Sequence, residues 1–259
     1  MGLVTDLTVV TLAQRPDLAH MLWQISDVWP TFMLQDPVSD FYYDVVERDF
    51  PEYVLLAFEA GRPDVTVARA FSVPFAFGPD VGRDQLPDAG WDAVIGWGWH
   101  DHTHGPAPTH VSALEISIAS GRRGEGLAAV MLEAMRSNVK RLGFSDLFAP
   151  VRPSGKPSEP GIPMTEYAFR TRPDGLPSDP WLRVHARAGG EIVRVCPRAM
   201  TISGSLAEWR EWTGLPFDRT GDVELPGGLV PVHCSVEHDH AVYVEPGVWV
   251  HHKLEVRSS

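Results

Sequence analysis

The chain has 259 residues, of which 44% are hydrophobic and 22% charged, a balance typical of a globular protein that buries a core. Its formal net charge of −12 argues against nucleic acid and membrane surfaces as partners, because both bind basic surfaces. The first residues lack the basic start and apolar stretch of a secretory signal, and no apolar run reaches the roughly 20 residues that span a bilayer. We therefore expect a cytoplasmic protein, with Cys196 and Cys234 buried rather than part of a disulfide framework.

The first part of the chain alternates helix and strand patterns. Residues 36–48 predict a helix, because Asp36 is a favoured N-cap residue and Pro37 suits the first helical position. The segment 78–89 is rich in glycine, proline and aspartate and predicts a loop. Residues 100–108 suit a hairpin loop between two strands. The other predicted elements are a helix over 14–28 and strands over 4–12, 53–59, 65–77, 91–100 and 110–118.

The second part begins with a strong helix pattern over 124–142, which ends at Gly143, a residue type favoured just after a helix. Residues 153–180 carry many prolines and predict a long loop of the kind that is often functional. Ser205 and Glu208 match a capping box at the start of a helix over 205–212. The remaining predictions are strands over 144–151 and 191–202, a helix over 181–188 and a β-rich tail over 222–254.

The most informative pattern is an apolar strand that runs into a glycine-rich turn and then a helix. Gly124 and Gly126 follow the strand over 110–118, and arginines flank them. Glycines let the backbone approach a ligand closely, and the free N–H groups of the first helical turn attract anions. The pattern predicts a site for a phosphate-bearing cofactor. The alternative is a tight strand-to-helix turn beside solvated arginines.

The sequence resembles the GCN5-related N-acetyltransferase (GNAT) superfamily. Residues 123–128, with the sequence RGEGLA, match the Arg-Gly-x-Gly-x-Ala/Gly turn of that family, and Ile118 occupies the apolar position before the turn. Residues 184–190 resemble the family's Tyr-x-x-x-Gly helix end, with His185 in place of the tyrosine. The resemblance implies an α/β (α+β) fold with a central mixed, mostly antiparallel sheet flanked by helices. We expect residues 1–204 to form this domain and 205–259 a C-terminal helix and β-rich extension packed on it.

The resemblance also implies a cofactor site for acetyl-CoA or another acyl-CoA. The backbone N–H groups of Arg123, Gly124, Glu125, Gly126, Leu127 and Ala128 would bind the pyrophosphate, helped by the helix dipole. Ile116, Ser117 and Ile118 would run beside the pantetheine arm as if it were an added strand. The Ile118 N–H would serve the oxyanion, and Arg187 or Arg122 would reach the 3′-phosphate.

Two residues are candidates for proton transfer. Glu115 is the candidate general base, because a carboxylate in a partly apolar site has its pKa raised toward neutrality. The alternative places it on a strand face, paired with a surface cation. His185 is the candidate general acid, since imidazole donates a proton near neutral pH, and the alternative is a core or capping histidine. Tyr167 in the long loop is a second choice for the acid.

Histidines crowd two regions, around residues 100–110 and residues 233–252. A zinc site is conceivable where two histidines of a strand share a face, but no helical H-x-x-x-H pair and no C-x-x-C accompanies them. We therefore expect no metal. His100, His102 and His110 are alternatives as bases or acceptor contacts. Trp97 and Trp99 would share a strand face and line an acceptor pocket.

We therefore expect an acyl-CoA-dependent N-acetyltransferase that transfers an acetyl or other acyl group to a small-molecule amine by direct attack. The acidic charge slightly favours a cationic acceptor. A non-catalytic acyl-CoA-binding or regulatory module on the same fold is the main alternative, and a metal-dependent hydrolase built on the histidines is a second. The C-terminal extension would cover the acceptor pocket or form a homodimer contact.

Overall fold

Nine strands form one sheet in the computed structural model, which describes residues 7–26 and 28–255. The strands are β1 (Leu7–Thr11), β2 (Val54–Glu59), β3 (Arg62–Phe75), β4 (His110–Ile118), β5 (Asp146–Val151), β6 (Glu191–Gly204), β7 (Gly221–Val223), β8 (Val232–Ser235) and β9 (His240–Lys253). The order across the sheet is β1-β2-β3-β4-β5-β9-β8-β7, and β6 also pairs with β9. Only β4 and β5 run parallel, so the predicted mixed, mostly antiparallel sheet is confirmed.

The last strand of the chain lies inside this sheet. The C-terminal part of β9 pairs with β5 from Lys253 to Val248, and β9 pairs with β6 over almost its whole length. The predicted division at residue 204 therefore falls between two paired strands, and residues 240–253 belong to the main sheet rather than to an appended extension. The segment that stands outside the central strands is the helix and two short strands between β6 and β9.

Helices cover both faces of the sheet. They are α1 (Asp40–Tyr43), α2 (Val46–Asp49), α3 (Gly90–His104), α4 (Leu127–Arg141), α5 (Met164–Tyr167), α6 (Pro180–Arg187) and α7 (Leu206–Thr213), with 3-10 turns at Pro16–Met21, Thr31–Gln35, Pro51–Tyr53, Pro79–Val81, Ser120–Arg122 and Lys156–Ser158. Strand residues alternate between the faces. Leu56 packs with α1 and α3, whereas its neighbour Leu55 packs with α4 and α6. Among the described residues, no helix has the length and apolarity to cross a membrane.

The predicted strand over 91–100 is wrong, because these residues belong to helix α3. Tertiary packing explains the difference. A Cβ at Gly98 would lie 2.3 Å from Val73 Cγ2, so this glycine allows the helix to approach β3 closely. The hairpin loop over 100–108 is wrong as well, since α3 continues to His104 and β4 pairs instead with β3. Trp97 and Trp99 consequently do not share a face.

The region before β2 is less helical than the sequence predicts. The predicted strand over 4–12 is seen as β1, with residues 4–6 outside the described part of the chain. The helix predicted over 14–28, which includes the undescribed residue 27, is limited to the 3-10 segment Pro16–Met21. The helix predicted over 36–48 is two four-residue helices, α1 and α2. Asp36 precedes both and caps a turn instead, accepting a hydrogen bond from the Val38 N–H at 3.4 Å.

Several local predictions in the second part are confirmed. Gly143 follows α4 with a φ of 90°, and Ser205 and Glu208 form the capping box at α7. The long loop over 153–180 contains the short helix α5. The Lys156 ammonium is buried in this loop and donates to three carbonyls, those of Glu159, Pro160 and Leu229. The loop is therefore held by its own polar contacts.

Candidate functional site

Strands β4 and β5 diverge and leave a cleft in the middle of the sheet. They pair only at Val111 with Leu147 and at Ser112 with Phe148. The Ala119 N–H donates to the Val67 carbonyl of β3 at 3.0 Å. Because strand residues alternate, the N–H groups of Ile118 and Ile116 point away from β3, into the cleft. An extended ligand in this cleft would meet free backbone donors and acceptors.

A β-bulge lies where the cleft begins. Ala113 and Glu115 have partners in β3, but Leu114 between them has none, so the register shifts there. The indole N–H of Trp91 in α3 donates to the Leu114 carbonyl at 3.1 Å. The bulge is thus fixed by a side chain from the face that carries α1 and α3.

The glycine turn after β4 has the geometry of an anion site. Gly124 and Gly126 have φ values of 85° and 82°, a left-handed conformation that favours glycine, and a Cβ at either position would meet nothing within 4 Å. The N–H groups of residues 124–128 donate to no acceptor within the described part of the chain. They surround the N-terminus of α4, where the helix dipole favours negative charge. These residues fit a pyrophosphate.

Three arginines lie near this turn or were predicted to reach the cofactor. Arg122 pairs with Glu125 at 2.9 Å and with Glu59 at 2.6 Å, and it lines a hollow of about 180 Å³ together with Arg62. Arg123 and Arg187 are exposed and form no ion pair within the described residues. Both are available to a phosphate group.

Glu115 lies in the middle of β4, on the face of α1. Its side chain and that of Arg69 are each 6% exposed and form an ion pair at 2.9 Å. The other donors to its carboxylate are the hydroxyl of Ser117 and, at 3.2 Å, the hydroxyl of Tyr43. Arg69 also donates to the Leu22 carbonyl at 2.6 Å. Both Glu115 oxygens therefore already accept hydrogen bonds from protein donors.

His185 is buried on α6, on the opposite face of the sheet from Glu115. Its Nδ1 lies 2.9 Å from Nε2 of His252 in β9. Burial lowers the pKa of His185 to about 3 and that of His252 to about 4, with nearby positive charge as a second cause. His185 is neutral at physiological pH, and the sheet separates it from Glu115. The structure does not bring the two predicted catalytic residues together. Tyr167, the second choice, donates to Asp179 at 3.0 Å in the same buried region.

An open cleft of about 630 Å³ lies beside Glu115 on the α1 face. Its lining consists of Trp23, Tyr43, Asp44, Glu47 and Arg48. Tyr43 connects the cleft to β4, because its hydroxyl reaches Glu115 and its ring packs against that of Trp91 at a centroid distance of 6.2 Å. The sequence analysis missed Tyr43 and Arg69. Both lie more than 40 residues from Glu115 in the sequence, and no local spacing reveals that contact.

The histidines of the two crowded regions lie on different elements, α3, β4, β8 and β9 among them. Within residues 7–26 and 28–255, no group of three or more His, Cys, Asp or Glu side chains has an arrangement that would hold a metal ion. His100, His102 and His104 lie on the last turns of α3, so the expectation of no helical H-x-x-x-H pair is wrong: His100 and His104 are one helical turn apart, with ring centroids at 6.4 Å. His110 stacks on Phe148 at 5.6 Å.

The cleft between β4 and β5 and the glycine turn together have the features of the coenzyme A site of an acyltransferase. No family model matches the sequence. The chain is 34% identical to the arginine N-acetyltransferase avaD of Aspergillus versicolor, over 98% of this chain and 96% of that protein. The loading GNATL domain of CurA from Lyngbya majuscula superposes with a TM-score of 0.56 at 17% identity, covering 97% of this chain and 99% of that domain. The GNAT-like decarboxylase GphF, solved with isobutyryl-CoA, gives a TM-score of 0.51 at 15% identity, covering 96% and 99%.

The chain belongs to the GNAT superfamily. It is an acyl-CoA-dependent N-acetyltransferase that transfers an acyl group from coenzyme A to an amine. The predicted fold and activity are therefore confirmed. The transferase activity stands in place of the two alternatives, a non-catalytic module and a hydrolase built on the histidines.

Proposed function

We propose that the acceptor is a small cationic amine of the arginine type, which approaches β4 from the face of α1 and α3. The observation that carries this proposal is the open cleft, because it combines the rings of Trp23 and Tyr43 with the carboxylates of Asp44 and Glu47, while its one cation, Arg48, is paired with Asp49. Aromatic faces and carboxylates together attract cations. The 34% identical arginine N-acetyltransferase supports the same acceptor class.

Acetyl-CoA would bind from the other side of the β4–β5 cleft. The N–H groups of residues 123–128 would bind its pyrophosphate, and Arg123 and Arg187 would be available to its 3′-phosphate. The N–H groups of Ile116 and Ile118 would pair with the pantetheine arm, and a donor of this strand would stabilise the oxyanion. This arrangement would put the thioester near the bulge at Leu114, next to Trp91.

For the proton transfers, we propose that Glu115 positions Tyr43 rather than meeting the amine itself. The Glu115 side chain is 6% exposed and both of its oxygens already accept protein hydrogen bonds, so an amine has no open approach to it. Burial and the charge of Glu115 raise the pKa of Tyr43 well above its usual range. The amine would attack in its neutral form, and the proton that its nitrogen then loses would pass to solvent in the open cleft. The Tyr43 hydroxyl stays protonated and is the candidate general acid for the leaving thiolate. His185 would have a structural role, as a neutral buried histidine beside His252.

The test is a thiol-release assay with acetyl-CoA and an acceptor series that varies charge at similar size, namely arginine, lysine, glutamine and glutamate. We expect turnover with the cationic members and little with the others. Equal rates for glutamate and arginine would contradict the proposed acceptor class but not the transferase activity. A Tyr43→Phe variant would lower kcat about 100-fold if Tyr43 is the acid.

We also propose a cytoplasmic location, supported by the two cysteines, Cys196 and Cys234, which are free and buried. The homodimer stays a prediction, and light scattering of the purified protein tests it.

A further inference from the structure

The indole of Trp91 lies at the end of the row of β4 backbone groups that faces the cleft. Ile118 and Ile116 direct their N–H groups into the cleft, and Leu114 is the next position in this row. Leu114 has no partner in β3, and its carbonyl accepts a hydrogen bond from the Trp91 indole N–H at 3.1 Å. A ligand that pairs with β4 from Ile118 onward therefore meets Trp91 two residues beyond Ile116, about 7 Å further along the strand.

Trp91 belongs to the first turn of α3, and this turn is anchored to β6. A Cβ at Gly90 would lie 2.8 Å from the Cβ of Ala199, so the backbone of the turn packs directly on β6. The carboxylate of Asp92 accepts a hydrogen bond from the Thr201 N–H, also in β6, at 3.0 Å. Since Trp91 lies between these two contacts and is itself bonded to β4, it has little freedom to move away from the cleft.

The ring of Trp91 occupies the space beside the bulge on the face of α1 and α3. It is half-buried and stacks on the ring of Tyr43, with centroids 6.2 Å apart and planes inclined by 25°. The ring also packs against two hydrophobic clusters, one that includes Phe71 and one that includes Trp209. Tyr43 in turn donates to Glu115. The indole and the proposed general acid therefore form one continuous wall next to the expected position of the thioester.

We propose that Trp91 sets the acyl preference of the enzyme, because its indole leaves room for an acetyl group and excludes longer acyl chains. This inference rests on the proposed function in taking the thioester to lie near Leu114, and it names the side chain that the acyl group would meet. The indole takes no part in proton transfer, since its N–H is held by the Leu114 carbonyl. Trp91 is thus a specificity residue for the acyl donor.

The length of the acyl chain decides how it meets this ring. An acetyl group has one methyl carbon beyond the thioester carbonyl, whereas a butyryl group has two further methylene groups. A well-packed site accommodates added methylene groups only when its side chains are strained or displaced. One methylene group changes an enzyme's preference by roughly 10- to 200-fold. Replacing the indole by a methyl group would leave a hollow beside Tyr43 and Leu114 that can hold the longer chain.

The experiment is isothermal titration of the protein with coenzyme A, acetyl-CoA and butyryl-CoA, without an acceptor. We expect the wild type to bind butyryl-CoA about tenfold or more less tightly than acetyl-CoA. Trp91→Ala should bring these two affinities within about threefold of each other, and Trp91→Phe, with a smaller ring, should give an intermediate ratio. Coenzyme A has no acyl group and reports any change in the rest of the cofactor site. If Trp91 had only a structural role, Trp91→Ala would weaken all three ligands by one factor, and the unchanged ratio would overturn the inference.

Trp212→Ala is the matched control for the loss of an indole. Trp212 is also half-buried and packs against Trp209 with ring centroids 5.2 Å apart, but it belongs to α7, which contacts β6 and β9. This variant should keep the wild-type ratio of the two acyl-CoA affinities. Equal affinities of the wild type for acetyl-CoA and butyryl-CoA would overturn the inference.

A thiol-release assay separates this inference from the proposed function. If Trp91→Ala accepts butyryl-CoA but acylates glutamate as fast as arginine, the proposed acceptor class fails and the inference stands. If arginine is the preferred acceptor but the affinity ratio stays the same in Trp91→Ala and Trp91→Phe, the inference fails and the proposed acceptor class stands. Circular dichroism of each variant checks that it folds.

Discussion

Arg69 and Glu115 form an ion pair at 2.9 Å in the centre of the sheet, with both side chains 6% exposed. Arg69 also lies 5.1 Å from the ring of Trp23, which lines the open cleft. Glu115, which the sequence analysis predicts as the base, thus already pairs with Arg69 and accepts a hydrogen bond from Tyr43. Arg69 therefore connects Glu115 to the lining of the open cleft.

Replacing Glu115 should cost stability first. Glu115→Ala leaves Arg69 buried without a counter-charge, and we expect a loss of about 3–5 kcal/mol in the free energy of unfolding. Urea denaturation measures it. Glu133→Gln, which removes an exposed partner of Arg136, is the control and should cost less than about 1 kcal/mol. A Glu115→Gln variant with unchanged stability and a large loss in kcat would instead favour Glu115 as the base.

Two glycine substitutions, one in the turn and one outside it, should separate the loss of cofactor binding from the cost of backbone strain. Gly126→Ala forces alanine into a left-handed conformation, which costs roughly 1–2 kcal/mol, and places a methyl group in the space proposed for the pyrophosphate. Gly175→Ala carries similar strain, with a φ of 78°, in a loop away from the turn. Both variants should lose similar stability, but only Gly126→Ala should lose acetyl-CoA affinity, by about tenfold or more. If both variants bind acetyl-CoA with the same affinity in a titration, the turn is not part of the cofactor site.

Asp36, which is buried, and Asp92, which is half-buried, predict a stability that falls as pH rises. Their folded pKa values, about 6 for Asp36 and about 8 for Asp92, lie above the ordinary carboxyl value of about 4. This contribution is complete below the ordinary value and is lost as pH rises through the folded values. The double variant Asp36→Asn, Asp92→Asn should therefore be more stable than the wild type above about pH 8. The expected difference in the free energy of unfolding is on the order of 2 kcal/mol, a figure reduced because Asp92 is half-buried. Denaturation curves that stay parallel across the range would contradict this account.

The His185–His252 pair predicts the opposite pH dependence, a stability that falls as the pH becomes acidic. The folded pKa values of about 3 and about 4 lie below the ordinary value of about 6.5, so only the unfolded chain takes up protons between them. Stability should fall as pH drops from about 6.5 toward 4, by about 1.4 kcal/mol per pH unit for each histidine. Thermal unfolding of His185→Gln should show a slope reduced by about one proton. An unchanged slope would mean that His185 titrates normally, which would return it to consideration as an acid.

Local chemistry made some of the structure predictable from the sequence. The turn at Gly124 and Gly126, the end of α4 at Gly143 and the capping box at Ser205 each depend on residues within a few positions. Helix α3 was not predictable in this way. Its aromatic and β-branched residues favour a strand, and its close packing on β3, where Gly98 lies against Val73, is a tertiary contact that the local sequence does not encode.

The candidate site depends mostly on long-range contacts. The Arg69–Glu115 pair and the contact of Trp91 with Leu114 join segments that are 46 and 23 residues apart. Strand β9 likewise lies between β5 and β6 in the sheet, although α7, β7 and β8 separate it from β6 in the sequence. No periodicity in the sequence encodes these neighbours. Glu115 was identified by its strand, but its partners, and therefore its role, were not.

The most direct test of a cation-selective N-acetyltransferase compares arginine with citrulline as acceptors for acetyl-CoA, measured as kcat/KM. Citrulline has the same length and amine but a neutral urea in place of the guanidinium. We predict that the ratio favours arginine about 100-fold, as expected when a charged group loses its ionic partners. Equal values would contradict recognition of the acceptor by its charge.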